Sequence, residues 1–243
     1  MLLSIDWDFF VPEKPEWDIQ HCEDKFYTDT MWEIRAVQTN LLEEMQTNGE
    51  EVHFWERIKN NFDLSGAELI VTDSHKFSYD LAKNCNEVVS FDSHCDLYYN
   101  KYEDFLKETE VRCDNWLGSL LRDNLIEKAS IVLSEHSNEW DAKDTEFETG
   151  DIVIINSLAS LGYNMLFRKH KVKTIHICRS GGWTPPWLDS KFEKFVKYCG
   201  VKPLVYAVPY RSFNEDIIKL ARKEYVKADA MRNSITGSNI FSI

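Results

Sequence analysis

Short apolar runs alternate with polar, helically patterned stretches along the whole chain. Runs rich in Val, Ile and Leu and bounded by polar or turn residues read as strands. They cover 1–5, 67–72, 87–91, 129–133, 151–155, 172–178 and 201–208. Thr30-Met31-Trp32-Glu33 is a capping-box pattern that opens a helical stretch to about residue 46, which Gly49 closes. Val52, Trp55 and Ile58 fall at helical spacing in 52–61, as core contacts do. Further helices are expected over 77–83, over 115–124 with Asp114 as cap, and over 214–228. The charged, aromatic stretch 101–112 reads as an exposed helix or a flap. Pro12 and Pro15 break the chain into a loop, with Trp17 and Asp18 beyond. From Arg232 the tail is rich in Ser, Asn and Gly and reads as loose or as lying over a neighbour.

Strands that alternate with helices imply an α/β fold. The arrangement expected is three αβα layers around a mostly parallel central sheet. No repeat, linker or low-complexity segment divides residues 1–243, so a single domain is expected. In such sheets ligands gather at the carboxyl ends of the strands.

Composition narrows the classes of partner. A net charge of -13 argues against nucleic acid, whose binding needs Lys and Arg on the phosphates, and suits a cationic substrate. The 6 cysteines show no CxxC pair and read as reduced thiols of a cytoplasmic protein. No stretch reaches the roughly 18 apolar residues of a membrane span. Asp6 and Asp8 stand where a signal peptide needs an apolar core. The oligomeric state is open, and a homo-oligomer is compatible with the sequence.

The candidate chemistry lies at the ends of the apolar runs. After Val88-Val89-Ser90-Phe91 come Asp92, His94 and Asp96, alternating with Ser93 and Cys95. If the strand stays extended, these side chains point to one side, about 6.6–6.8 Å apart. Oxygen and imidazole donors suit a divalent Mn, Fe or Zn; a polar loop with Asp as turn residues is the alternative. Met1-Leu2-Leu3-Ser4-Ile5 likewise ends in Asp6 and Asp8, like charges whose repulsion and desolvation a cation would remove. Leu69-Ile70-Val71-Thr72 leads to Asp73-Ser74-His75. Asp6, Asp8, His75, Asp92, His94 and Asp96 are enough ligands for two metals with shared carboxylates. His21, His53, His170 and His176 have no convergent neighbours in sequence and read as structural.

Phe91-Asp92-Ser93-His94-Cys95-Asp96-Leu97 resembles the DAHxD motif of the ureohydrolases, the superfamily of arginase and agmatinase. Val71 to Tyr79 resembles their GGDHS motif, and Ser4-Ile5-Asp6-Trp7-Asp8 their SxDxD motif. The nearest likeness is to the atypical peptide arginases, which convert arginine side chains of a ribosomally made precursor peptide to ornithine. The likeness covers these motifs and the αβ rhythm around them. It implies an arginase/deacetylase-like fold and two Mn2+ ions, with Asp6 and Asp92 bridging. It places His75 and Asp96 on one ion and Asp8 and His94 on the other. It also implies that Asp96 orients the nucleophile and carries its proton.

The sequence departs from that pattern in several places. SxDxD precedes DAHxD here, so the strand order is rearranged. No DP follows Asp8. The NxHGxP segment with its proton-shuttling histidine is replaced by Cys113-Asp114-Asn115-Trp116-Leu117-Gly118. His136, which follows the 129–133 strand, is the candidate acid in its place, or else a surface or capping histidine. Glu135 is the candidate grip on a substrate cation. Asn115, Trp116 and Trp183 are candidates to line the pocket; Trp183 is suited to stack on a guanidinium. Its Gly181-Gly182 neighbours let a backbone approach closely, or simply make a tight turn.

The expectation is a binuclear-manganese hydrolase that takes an arginine-containing peptide and releases urea. Rivals are a deacetylase-type amide hydrolase on one metal and a glycosyltransferase reading of Asp6-Trp7-Asp8. A further rival is a non-catalytic module that the metals only stabilise.

Overall fold

A computed structural model describes residues 1–12, 23–98, 101–139, 151–155, 157–161 and 169–238. Pro15, Trp17, Asp18, His21, Asn156 and the tail after residue 238 lie outside the described residues.

The first half of the chain forms β1 (Leu2–Asp6), α1 (Lys25–Gln38), α2 (Leu41–Glu44), α3 (Glu51–Asn61), β2 (Phe62–Asp63), β3 (Glu68–Thr72), α4 (Phe77–Ala82) and β4 (Glu87–Asp92). The second half forms α5 (Tyr102–Phe105), α6 (Trp116–Arg122), β5 (Lys128–Leu133), β6 (Asp151–Ile155), β7 (His170–Lys171), β8 (Thr174–Cys178), α7 (Asp189–Cys199), β9 (Pro203–Ala207) and α8 (Glu215–Ser238). A 7-stranded sheet runs in the order β6-β5-β4-β1-β8-β3-β9, and β2 pairs with β7 apart from it. Every recorded pairing is parallel.

The central strands are buried on both faces, which is why they read as unbroken apolar runs. Successive side chains go to opposite faces. Leu3, Ile5, Val89 and Phe91 pack with Phe54, Ile58, Phe192 and Phe195 of α3 and α7. Leu2, Val88, Ala129 and Ile131 pack with Ala82, Leu117 and Leu120 of α4 and α6. Helices therefore cover both faces, as expected for three layers. Among the described residues no helix is long and apolar enough to cross a membrane. Cys85, Cys95, Cys178 and Cys199 are buried unpaired thiols, and Cys113 is half-buried and unpaired.

Several boundaries differ from the sequence expectation. Thr30 lies inside α1, which starts at Lys25 and stops at Gln38. The stop has a local cause: Thr39 Oγ1 donates back to the Arg35 carbonyl at 2.7 Å and accepts from Leu41 N at 3.3 Å. Gly49 closes no helix; at φ +90° it makes the turn that enters α3. Only 102–105 of the 101–112 stretch is helical. α8 continues to Ser238, through the start of the tail expected to be loose.

Asp114 does not cap α6. It pairs with Arg112 at 3.0 Å instead. The carbonyl of Asp96 accepts from the N–H groups of Leu117 and Gly118, both at 3.1 Å, so the loop after β4 is pinned to the start of α6. This close approach requires glycine. A Cβ at Gly118 would lie 1.9 Å from the Leu97 carbonyl oxygen. Gly118→Ala is expected to destabilise the fold by about 1–3 kcal/mol and to displace Asp96. A thermal melt checks the first effect, and weakened metal uptake the second.

Candidate metal centre

β1, β4 and β8 are neighbours in the sheet, and β3 follows β8. The register pairs Ile5 with Phe91 and Asp6 with Cys178, so Asp6 and Asp92 end adjacent strands at the same height. His75 stands on the turn between β3 and α4. The sheet order brings together groups that lie far apart in sequence.

Asp6, His75 and Asp92 form one group whose ligand atoms lie within 4.8 Å of one another, and Asp8, Asp92 and His94 form a second. Asp92 belongs to both. His75 Nδ1 is 2.9 Å from Asp96 Oδ2, 3.0 Å from Asp92 Oδ2 and 3.3 Å from Asp6 Oδ2. His94 Nδ1 is 3.1 Å from Asp8 Oδ2 and 3.6 Å from Asp92 Oδ1. Each group has the donors and the spacing to hold a metal ion.

The route to this convergence is not the extended alternation that the sequence suggested. β4 ends at Asp92, and the chain then bends; Asp92 Oδ1 accepts from His94 N at 2.9 Å, and Asp96 sits at φ +50°. Asp8 is not on the strand either. Trp7–Phe10 is a 3-10 turn that Asp6 caps, with Asp8 N donating to Asp6 Oδ1 at 3.1 Å. Asp6 Oδ1 is occupied by that cap. By distance Asp6 falls in the first group, and the carboxylate common to both groups is Asp92.

The electrostatics explain why the cluster calls for cations. Burial pushes the Asp6 and Asp96 carboxyls up to about 8, and the neighbouring Asp8 and Asp92 charges add to the push. Asp92 is raised for the same reasons, burial first and Asp8 second. Burial also pushes Asp8 upward, but its hydrogen bond and charge contact with His94 outweigh that and lower it. Burial opposes a charged His75 and His94, yet the hydrogen bonds to Asp92 and Asp96, and to Asp8 and Asp92, hold both well above the usual imidazole range. His75 Nδ1 faces Asp92 Oδ2 at 3.0 Å in a buried ion-pair contact, but neither atom has a partner in good hydrogen-bond alignment. Orphaned buried donors and acceptors are costly, and a metal ion shared by these two atoms satisfies both.

Asp96 is held by Trp116. The indole Nε1–H donates to Asp96 Oδ2 at 2.6 Å, and the ring lies 4.8 Å from the His75 ring. Expected among the pocket-lining residues, Trp116 is fully buried here with its only polar atom committed to the centre. Trp116→Phe keeps the ring and removes that donor. The expected result is a folded protein whose affinity for a divalent metal falls about 10-fold, the lower end for loss of an outer-shell partner; calorimetric titration checks it. Asn115 is also buried. Its amide donates to Glu108 at 3.0 Å and to the Glu110 carbonyl at 3.2 Å, and its carbonyl accepts from Arg112 N at 2.8 Å.

His136 is half-buried at the end of β5, with Nε2 3.0 Å from Ser93 Oγ and 3.3 Å from the Asp8 carbonyl. It stands beside the second group. Glu135 is exposed; burial first and the Glu135 charge second raise the Glu50 carboxyl, so Glu135 faces that residue's neighbourhood. Trp183 is half-buried on the loop after β8.

That loop contributes a contact which sequence reasoning missed. Ser180 Oγ donates to Asp6 Oδ2 at 2.5 Å, from a residue at φ +49°. Asp96 and Ser180 are thus left-handed non-glycine residues that both touch the centre, a conformation that costs on the order of 1–3 kcal/mol each. The Ser180 loop is clamped from outside. Arg179 binds Asp73 through two bonds of 2.7 and 2.8 Å, and Arg211 joins Asp189 to the Gly181 and Thr184 carbonyls. Trp32 Nε1 also donates to the Gly181 carbonyl, at 2.8 Å.

A cavity of about 230 Å³ lies at the ends of β3, β8 and β9, and none of the candidate ligands lines it. Glu23, Asp29, Asp73, Phe77 and Arg179 are among its lining residues, as are Ser74 and Gly181, which adjoin His75 and Ser180 in sequence. The chain matches no protein-family model, no curated protein and no solved structure.

Proposed function

We propose that the protein is a binuclear-manganese hydrolase of the arginase-like type. It converts arginine side chains, within a peptide, to ornithine and urea. The observation that carries this reading is the pair of ligand groups sharing the buried Asp92, with His75 Nδ1 facing the Asp6, Asp92 and Asp96 carboxylates. The motif likeness to ureohydrolases supplies the reaction class.

Charge supports two ions. The carboxylates of Asp6, Asp8, Asp92 and Asp96 outnumber the imidazoles of His75 and His94 two to one. Fully ionised, that negative charge is offset in full by two divalent cations; in the metal-free site protons on Asp6, Asp96 and both histidines offset it instead. An oxygen-rich donor set favours Mn over Zn. When bound, such a metal pair lowers the pKa of a water molecule and so supplies a nucleophile near neutral pH.

The remaining work falls to the chain. Asp96, oriented by Trp116, receives and returns a proton at its carboxylate. His136 Nε2, 3.0 Å from Ser93 Oγ, is the proposed proton donor to the departing amine. Glu23 and Asp29, at the cavity by the ends of β3, β8 and β9, favour a cationic side chain, while Asp73 there is paired with Arg179. Phe77 gives the alkyl portion an apolar wall.

Incubation with manganese and either free arginine or arginine-containing peptides tests this. The expected products are urea and a peptide lighter by about 42 Da, the mass lost when a metal-activated water converts a guanidine to an amine. A protein that binds two ions and releases urea from no guanidine would instead be a metal-stabilised module.

A further inference from the structure

A chain of buried polar side chains runs behind His75 on the same sheet face as Asp6. Ser4 lies two residues before Asp6 on β1, and the register sets it beside His176 on β8. His75 Nε2 is 2.7 Å from Ser4 Oγ, and Ser4 Oγ is 2.7 Å from Ser78 Oγ. Ser78 Oγ is 2.5 Å from His176 Nδ1, His176 Nε2 is 2.8 Å from Thr72 Oγ1, and Thr72 Oγ1 is 3.0 Å from the Ser74 carbonyl. Ser4, Ser78 and His176 are fully buried, and Thr72 and His75 nearly so. Polar atoms this deep in an apolar sheet are costly unless all are satisfied.

The end of the chain sets its direction. A carbonyl only accepts, so the single Thr72 hydroxyl hydrogen goes to Ser74. Thr72 must then accept from His176 Nε2–H. That tautomer leaves His176 Nδ1 as an acceptor, which takes the Ser78 hydroxyl hydrogen. Ser78 accepts from Ser4, and Ser4 accepts from His75 Nε2–H. His75 Nδ1 is left to face Asp6, Asp92 and Asp96.

We propose that Thr72, His176, Ser78 and Ser4 are positioning residues that fix His75 as an Nε2–H donor and thereby keep its Nδ1 aimed at the first metal position. This rests on the metal centre of the proposed function, but it assigns roles to residues outside the ligand set. The arrangement needs no rebuilding on metal uptake, because the same Nε2–H bond serves whether Nδ1 holds a proton or a cation. The reverse direction would put the His75 proton on Nδ1, block the ligand atom and leave the Ser74 carbonyl without this donor.

Long-range ¹H–¹⁵N correlation spectra of the metal-free protein, labelled in histidine, read the tautomer directly. The expected His176 carries its proton on Nε2 with a bare Nδ1; a proton on Nδ1 overturns the proposal. Manganese titration gives a second readout. Ser78→Ala is expected to raise the Kd about 10-fold, and Ser78→Thr, which keeps a hydroxyl, to restore it. A folded Ser78→Ala protein with unchanged affinity also overturns the proposal. If Ser78→Ala does not fold, the wild-type spectrum decides. A wild-type chain that takes up no manganese contradicts the metal centre, and the His176 tautomer still decides the direction of the chain.

Discussion

Asp92→Asn removes both metal positions at once. Asp92 is the residue common to the two ligand groups, and its Oδ2 faces His75 Nδ1 at 3.0 Å. Losing an outer-shell partner already costs 10- to 100-fold in metal affinity, so losing a shared ligand is expected to cost more than about 100-fold at each position. Urea release is expected to fall by at least about 1,000-fold, since the nucleophile depends on the pair. Asp6→Asn should weaken only the first position, because Asp6 lies in one group. The asparagine side chain in Asp92→Asn is nearly isosteric with the aspartate it replaces. Its carbonyl can still accept from His94 N. Removing one buried carboxylate also relieves repulsion with Asp8. Metal-free Asp92→Asn is therefore expected to melt above the metal-free wild type, while gaining nothing from manganese. Calorimetric titration and thermal melts with and without metal check these outcomes together.

The second large effect is a pH-dependent stabilisation by metal. In the fold, Asp6 and Asp96 keep protons up to about 8, whereas their ordinary value is 3.8. His75 and His94 keep theirs well above their ordinary 6.5. The metal-free fold thus binds more protons than the unfolded chain from about pH 4 upward, so its stability falls as pH rises. Asp8 runs the other way. Its lowered carboxyl contributes stability that is present above 3.8 and lost as pH falls through its folded value. Metal binding displaces the protons on Asp6, Asp96, His75 and His94, so affinity should climb with pH. At free manganese about 100-fold above Kd, each site adds about 2.7 kcal/mol, or roughly 5–10 °C in Tm for a chain of this size. The gap between loaded and metal-free melting is expected to widen from about pH 6 to about pH 9. A gap that narrows over that range would show that the carboxyls and imidazoles of the cluster are not the ligands.

Much of the centre was legible because like-charged residues at the ends of apolar runs are hard to explain otherwise. Asp6, Asp92, His75 and His94 each follow such a run, and the sheet places their ends side by side. Their partners were hidden by topology. Nothing local tells that Trp116 reaches Asp96 or that Ser180 reaches Asp6, because those contacts depend on strand order and on two left-handed residues. The His176 chain left a fainter trace. Ser4 and His176 interrupt otherwise apolar strands, and Ser4 shares the parity of Asp6, but pairing them requires knowing that β8 lies beside β1. The extended geometry expected for Asp92 to Asp96 failed for a physical reason. β4 ends where Asp92 turns back to bind His94 N, and the start of α6 captures the Asp96 carbonyl.

Equilibrium dialysis against manganese, followed by elemental analysis of the wild type and of Asp92→Asn, tests the central claim most directly. The expected result is two ions per wild-type chain and none retained by the variant at the same free concentration. Two ions retained by both proteins, or none bound by the wild type, would contradict it.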